Sequence, residues 1–261
     1  MRTPGTSGRV TAPGASGGLQ AGLRYQQRLQ ELLALALADG LEGLDAAATL
    51  IQRTFAADGL LYIFGSGHSH MFAEEAFYRA GGPIQICPIL NPPNMLHEGA
   101  VQSTVLERES GHAADLLARY DLDPARDTML VVSNSGVNAL PVEVAATASE
   151  LGLPVLAITS VAYSEAIDTS GPRLSDIADV VIDNRCPPGD AIVELGPQLP
   201  SAGPASSVIG LALLNGLLVE AADRVLRHSS DAKVLLSANM PGAAEHNAAL
   251  VEHYRSRVPH L

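Results

Sequence analysis

The run Leu60-Leu61-Tyr62-Ile63-Phe64 constrains the fold more than any other segment. Side chains alternate between the two faces of an extended strand, so five consecutive apolar residues need cover on both faces. The run ends abruptly in Gly65-Ser66-Gly67-His68-Ser69-His70, where two glycines and small or polar side chains let a strand end present backbone amides to an anion. The chain repeats this device when Met129-Leu130-Val131-Val132 runs into Ser133-Asn134-Ser135-Gly136-Val137-Asn138. Two hydroxyl-bearing loops at strand ends of one parallel sheet point to a single phosphorylated ligand held from two sides.

Periodicity extends this pattern along the chain. Strands are predicted over 60–64, 84–88, 129–132, 155–159 and 180–182, and helices over 25–38, 44–57, 71–80, 111–120, 140–151 and 206–226. Alternating strands and helices, with strands apolar throughout, predict an α/β fold in which helices cover both faces of a central parallel five-stranded sheet. Ligands of such sheets bind at the carboxyl ends of the strands, where both loops fall. The Pro- and Gly-rich stretch 187–204 reads as an irregular excursion. Residues 1–20 read as a disordered tail, 21–228 as the domain with its N-terminal helices, and 229–261 as an extension. That extension carries a helical candidate over 243–255 and is expected to pack on the domain or on a partner subunit.

Composition narrows the ligand classes. A formal charge of −12 argues against nucleic acid and against an anionic membrane surface. It does not argue against a phosphate ester, which neutral hydroxyls, backbone N–H groups and helix N-termini can hold without entering a charge count. Cys87 and Cys186 fit a reducing cytoplasm better than a disulfide framework, and the longest apolar segment, 208–222, is too short to span a bilayer and is broken by Asn215 and Glu220. A cytoplasmic, soluble protein is therefore expected.

The loops exclude several familiar sites. Gly65-x-Gly67 begins like a dinucleotide fingerprint, but His70 occupies the third glycine position and no acidic residue closes the second strand near Cys87. There is no Gly-Lys-Ser/Thr phosphate loop, and a nucleophile elbow fails at Met71. No cofactor is expected. His68, His70, His97 and His112 raise a zinc hypothesis, yet phosphate-loop histidines also serve as plain hydrogen-bond donors, so no metal is expected either.

The pair Gly65-Ser66-Gly67 and Ser133-Asn134-Ser135-Gly136 resembles the sugar isomerase (SIS) fold of phosphosugar-binding proteins, whose second loop reads Ser-x-Ser-Gly-x-Ser/Thr. Asn138 stands at the last position, keeping a donor but losing the hydroxyl. The resemblance spans 44–226. It implies a three-layer α-β-α sandwich, pairing of subunits into a homodimer or larger homo-oligomer, and phosphate binding by Gly65, Ser66, Gly67, His68, Ser133, Asn134, Ser135, Gly136 and Asn138. Phe72-Ala73-Glu74-Glu75 and Leu96-His97-Glu98-Gly99-Ala100 are similar to a subfamily associated with N-acetylglucosamine catabolism. The first stretch also resembles sedoheptulose 7-phosphate isomerases, whose second Glu is catalytic, which implies the same for Glu75. Those enzymes' metal-binding His and catalytic His fall at Met71 and Asn215 here.

Removing a carbon-bound proton beside a sugar aldehyde calls for a base in a partly dry pocket. Glu75 and Glu98 are the base candidates. His97 sits beside Glu98 on a stiff loop after the second strand, and His246 in the tail is a candidate for a neighbouring subunit's pocket. Glu107 and Arg108 read as the charged approach to a helix, with Glu109 a weaker acid. The leading expectation is dehydration of an amino-sugar 6-phosphate such as N-acetylglucosamine 6-phosphate across C2 and C3; aldose–ketose isomerisation and non-catalytic sensing stay open. Amino sugar and dehydration both follow from the resemblance.

Overall fold

The computed structural model describes residues 18–229 and 233–261. The expected N-terminal tail lies, through residue 17, outside the described residues. In chain order the elements are α1 (Gln20–Asp39), α2 (Leu41–Ala56), β1 (Leu61–Gly65), α3 (Met71–Ala76), β2 (Ile86–Ile89), α4 (Leu96–Leu106), α5 (Ala113–Leu117), β3 (Thr128–Val132) and α6 (Ala139–Glu150). There follow β4 (Val155–Thr159), α7 (Val161–Glu165), α8 (Leu174–Ile177), β5 (Val180–Asp183), β6 (Ala191–Val193), β7 (Ala202–Pro204), α9 (Ser206–Leu226) and α10 (Ala243–Tyr254). Strands β1 to β5 form a parallel sheet in the order β2-β1-β3-β4-β5.

Alternation along the strands divides the core in two. Leu61, Ile63, Leu130, Leu156 and Ile158 face Ile51, Phe55, Leu213 and Leu217 from α2 and α9. Tyr62, Phe64, Met129, Val131 and Val155 face Leu116, Leu140, Val144 and Tyr254 from α5, α6 and α10. The predicted α/β sandwich with its five-stranded parallel sheet is thus observed.

Three local readings change. After β2 the prolines make a short 3₁₀ turn, Pro92–Asn94, but His97 and Glu98 stand on α4 rather than on a stiff loop; only Ser103 of α4 is buried and Gly99 breaks it at φ 152°, so it lacks an apolar stripe. The 187–204 excursion contains an antiparallel hairpin of three-residue strands, β6 and β7. Helix α3 stops at Ala76 because Phe77 turns extended. Cys87 and Cys186 are buried free thiols, and burial pushes the Cys186 thiol up to about 12. No described helix is long and apolar enough to cross a membrane.

The C-terminal extension adds an antiparallel segment before β2: the Ile84 amide donates to the Lys233 carbonyl at 2.9 Å, and the Leu235 amide to Gly82 at 2.9 Å. Helix α10 follows, with Tyr254 and Val258 buried. Arg257 donates at 2.6 Å to the buried carboxylate of Asp127, which also accepts the Leu60 amide at 2.8 Å. On the α2–β1 turn, Asp58 accepts hydrogen bonds from Lys233, from the Tyr254 hydroxyl at 2.5 Å and from His253 Nε2 at 2.8 Å.

Burial by itself would raise the Asp58 carboxyl; the hydrogen bonds from Lys233, Tyr254 and His253 outweigh it and hold the group well below the usual carboxylate range. A carboxyl lowered in the folded state contributes stability above its unfolded pKa of about 4 and loses it as pH falls toward the folded value. Asp58→Asn preserves tolerance of the observed φ of 58°. It should cost about 1 kcal/mol at neutral pH, a modest figure because the side chain is 39% exposed and screened. Paired thermal melts should show this deficit shrinking below about pH 4; a deficit independent of pH would locate the effect in the turn rather than in the charge.

Candidate functional site

Adjacent strands β1 and β3 run in parallel with Gly65 level with Val132. The chain leaves β1 toward β2 on one side and β3 toward β4 on the other. Their C-terminal loops therefore diverge, and the topological switch point of the sheet opens between them. A cleft of about 520 Å³ occupies that crevice. Ser66, Gly67 and His68 line it from the first loop and Ser133, Asn134, Ser135, Val137 and Asn138 from the second, with Glu107, Arg108, Tyr163, Asn184 and Ser207 completing the wall.

Both loops are tight enough to dictate glycine. A Cβ at Gly65 would stand 2.3 Å from the Ser69 carbonyl oxygen. Gly136 has φ +64°, and a Cβ there would meet Thr159 Oγ1 at 2.8 Å.

The second loop is built to donate. Ser133 Oγ accepts the Gly136 amide at 3.2 Å, leaving its own O–H for a ligand. Asn184, buried just beyond β5, donates to Asn134 Oδ1 at 2.9 Å, which fixes the Asn134 amide and leaves its NH2 for a ligand. Ser135 lines the cleft on the loop that leads, three residues later, to Asn138 at the N-cap of α6, where first-turn amides lack partners within the helix and the dipole favours an anion.

One carboxylate crosses between the loops. Glu107 Oε2 accepts the Ser66 hydroxyl at 2.9 Å, and Oε1 accepts Asn138 Nδ2 at 3.0 Å and the Arg108 guanidinium at 2.9 Å. Its main-chain carbonyl accepts the Leu140 amide at 3.0 Å, so backbone and side chain are both tied to the second loop and its helix. The side chain is 17% exposed. Asn138 occupies the N-cap position of α6 and Ser66 that of the short 3₁₀ turn 67–70, yet neither side chain caps its own helix.

The other candidates are placed as follows. Glu75 does not line the cleft; it pairs with Arg79 and accepts Asn215 Nδ2 at 3.3 Å. His97 and Glu98 lie 3.8 Å apart with side chains 59% and 54% exposed, and neither lines the cleft, although adjacent Leu96 does. His246 Nε2 lies 2.9 Å from the Val234 carbonyl within the extension. His70 is buried on the Gly67 carbonyl, and His112 lies 3.5 Å from Glu109. Among the described residues no three His, Cys, Asp or Glu side chains converge as a metal-holding group. Sequence reasoning missed Glu107 as a cleft residue, and also Asn184. The contact of Glu107 with Ser66 spans 41 positions, and its own neighbours form an ordinary charged run.

Comparison with known proteins bears on the fold and the family. A UPF0309 protein of Brucella canis is 46% identical over 218 residues, covering 84% of this chain and 89% of the relative. The fold is similar to a phosphoheptose isomerase of Neisseria gonorrhoeae, at a TM-score of 0.51 and 16% identity over 77% of this chain and 97% of that one. It is also similar to a phosphoheptose isomerase of Francisella tularensis, at a TM-score of 0.54 and 15% identity over 79% and 99%. With the SIS domain model matching residues 24–160 across both phosphate-type loops, the chain belongs to the SIS domain family of phosphosugar-binding proteins.

Proposed function

We propose that this protein is an enzyme that removes the C2 proton of an open-chain sugar phosphate, with Glu107 as the base. The observation that carries the reading is the Glu107 carboxylate, held in the cleft between the two donor loops. A proton beside a sugar aldehyde is acidic enough for a positioned carboxylate, and binding between the two loops of the cleft supplies the orientation. The phosphate sits on Ser133, Asn134, Ser135 and the start of α6, which places the sugar chain along the cleft toward Glu107 and His68.

The substrate in this reading is an amino-sugar 6-phosphate such as N-acetylglucosamine 6-phosphate. Glu107 takes the C2 proton, the electron pair forms the C2–C3 double bond, and the C3 hydroxyl leaves as water after protonation by a second cleft group, for which His68 is the candidate. Isomerisation begins with the same abstraction and returns the proton to C1. Glu75 and His246, outside the cleft of their own chain, and the exposed pair His97 and Glu98 enter the chemistry only through a second copy or a closed state.

Subunit pairing belongs to the same proposal. Leu23 and Leu35 of α1 and Val208 and Val219 of α9 are individually exposed apolar side chains of the kind a partner subunit covers.

Four measurements test the reading. Ser135→Ala should weaken sugar-phosphate binding by about 1 to 3 kcal/mol, the range for a hydrogen bond to a charged group; unchanged affinity would sink the phosphate assignment. Glu107→Gln should leave ligand-induced thermal stabilisation intact while turnover of N-acetylglucosamine 6-phosphate falls by about two orders of magnitude or more. Mass spectrometry of that reaction separates the outcomes: loss of one water marks dehydration, unchanged mass with altered retention marks isomerisation, and saturable binding without turnover marks a sensor. Light scattering should report at least twice 27.1 kDa, and a fully active monomer would remove the pairing.

A further inference from the structure

We infer that Ser66 and Asn138 are positioning residues that bracket the Glu107 carboxylate, and that the phosphate is left to the Ser133–Ser135 segment. The inference rests on the proposed role of Glu107, and it reassigns two side chains that the loop motifs place on the phosphate.

The argument is one of donors. A serine hydroxyl carries a single proton, and that of Ser66 goes to Glu107 Oε2 at 2.9 Å, so nothing of it is left to donate to a phosphate oxygen. The lone pairs remaining on Ser66 Oγ would repel such an oxygen. Asn138 directs its Nδ2 to the other carboxylate oxygen at 3.0 Å. Each loop thus spends one neutral donor on one oxygen of the same carboxylate, which sets its rotation and the direction of its remaining lone pairs.

Two further observations separate this arrangement from ordinary loop structure. Residues of these types at N-cap positions normally bond the amides of their own helices, and here both forgo that bond. Where the family motif carries a Ser or Thr, this chain carries Asn138, whose amide reaches a carboxylate and, lacking an ionisable proton, cannot exchange one with it. By contrast Ser133 and Asn134 have their acceptor atoms engaged by Gly136 and Asn184, which leaves their donors for the ligand.

The decisive experiment is a thermal double-variant cycle on the ligand-free full chain, which needs no turnover. Ser66→Ala, Glu107→Gln and the double variant are melted in parallel, with Asn138→Ser and its double with Glu107→Gln as a second, milder pair. A bracket predicts that each double variant melts no lower than the worse of its two singles, because the shared interaction is lost only once. Additive losses in both pairs overturn the bracket.

Calorimetric titration with inorganic phosphate supplies the second arm. Ser135→Ala should lose about tenfold or more in affinity, as expected for a hydrogen bond to a charged group, while Ser66→Ala stays within about twofold of the unaltered chain. A tenfold loss in Ser66→Ala would make Ser66 a phosphate ligand and overturn the inference. Exchange of the C2 proton of N-acetylglucosamine 6-phosphate in heavy water then splits KM from kcat. Ser66→Ala should slow exchange at saturation by about tenfold or more with KM little changed. Absence of exchange in the unaltered protein would count against the proposed reaction alone, since the thermal cycle decides the bracket without it.

Discussion

The pairing of β1 with β3 is the constraint on which the rest of this molecule depends. A parallel register that sets Gly65 level with Val132 brings two strand ends to one point, and the opposite exits of the chain turn that point into a cleft. The pairing is secured at its other end. Thr54 and Thr128 share a hydrogen bond of 2.7 Å beneath the strands, and buried Asp127 joins the Leu60 amide to Arg257 of the C-terminal extension. Removing one partner of such a buried charged set leaves the other uncompensated, a cost of about 3 to 5 kcal/mol. The extension, remote in sequence, thereby holds the register that the cleft needs.

An acidic chain that binds a phosphate near a carboxylate must keep the two anions apart. Two unit charges 4 Å apart repel by about 4 kcal/mol at an effective dielectric of about 20, more than one good hydrogen bond returns. The cleft meets this by division. Glu107 is surrounded by Ser66, Asn138 and the Arg108 guanidinium, and in the proposed reading the phosphate is held instead by Ser133, Asn134 and Ser135 of the second loop.

What was legible in the sequence was whatever is buried on both faces or carries a complete apolar stripe. β4 and α9 fall on their predicted bounds for that reason, and β1 and β3 shift by a single residue. Helix α4 was not legible because only Ser103 of it is buried, nor were β6 and β7, because a three-residue strand leaves no period to read. The two donor loops could be read because strand ends, glycines and hydroxyls coincide there. Glu107 could not, since what gives it meaning is a contact with Ser66 across 41 positions, which no local pattern encodes.

The positions highlighted by resemblance to the heptose isomerases do meet in space, and their chemistry argues for moving the base. Glu75 on α3 and Asn215 on α9 are hydrogen-bonded at 3.3 Å, the arrangement expected if one supplied a carboxylate and the other an imidazole. Here the second member is an amide, which neither takes nor gives a proton near neutrality, and the Glu75 carboxylate, paired with Arg79, does not line the cleft, whereas Glu107 does. In this chain the two form a polar contact between α3 and α9. The carboxylate facing the ligand space of this chain instead stands at Glu107, on the segment that joins α4 to the second loop. If the bracket there sets its direction, exchanging Asn215 for His should not by itself transfer proton abstraction to Glu75, because Arg79 still holds that carboxylate outside the cleft.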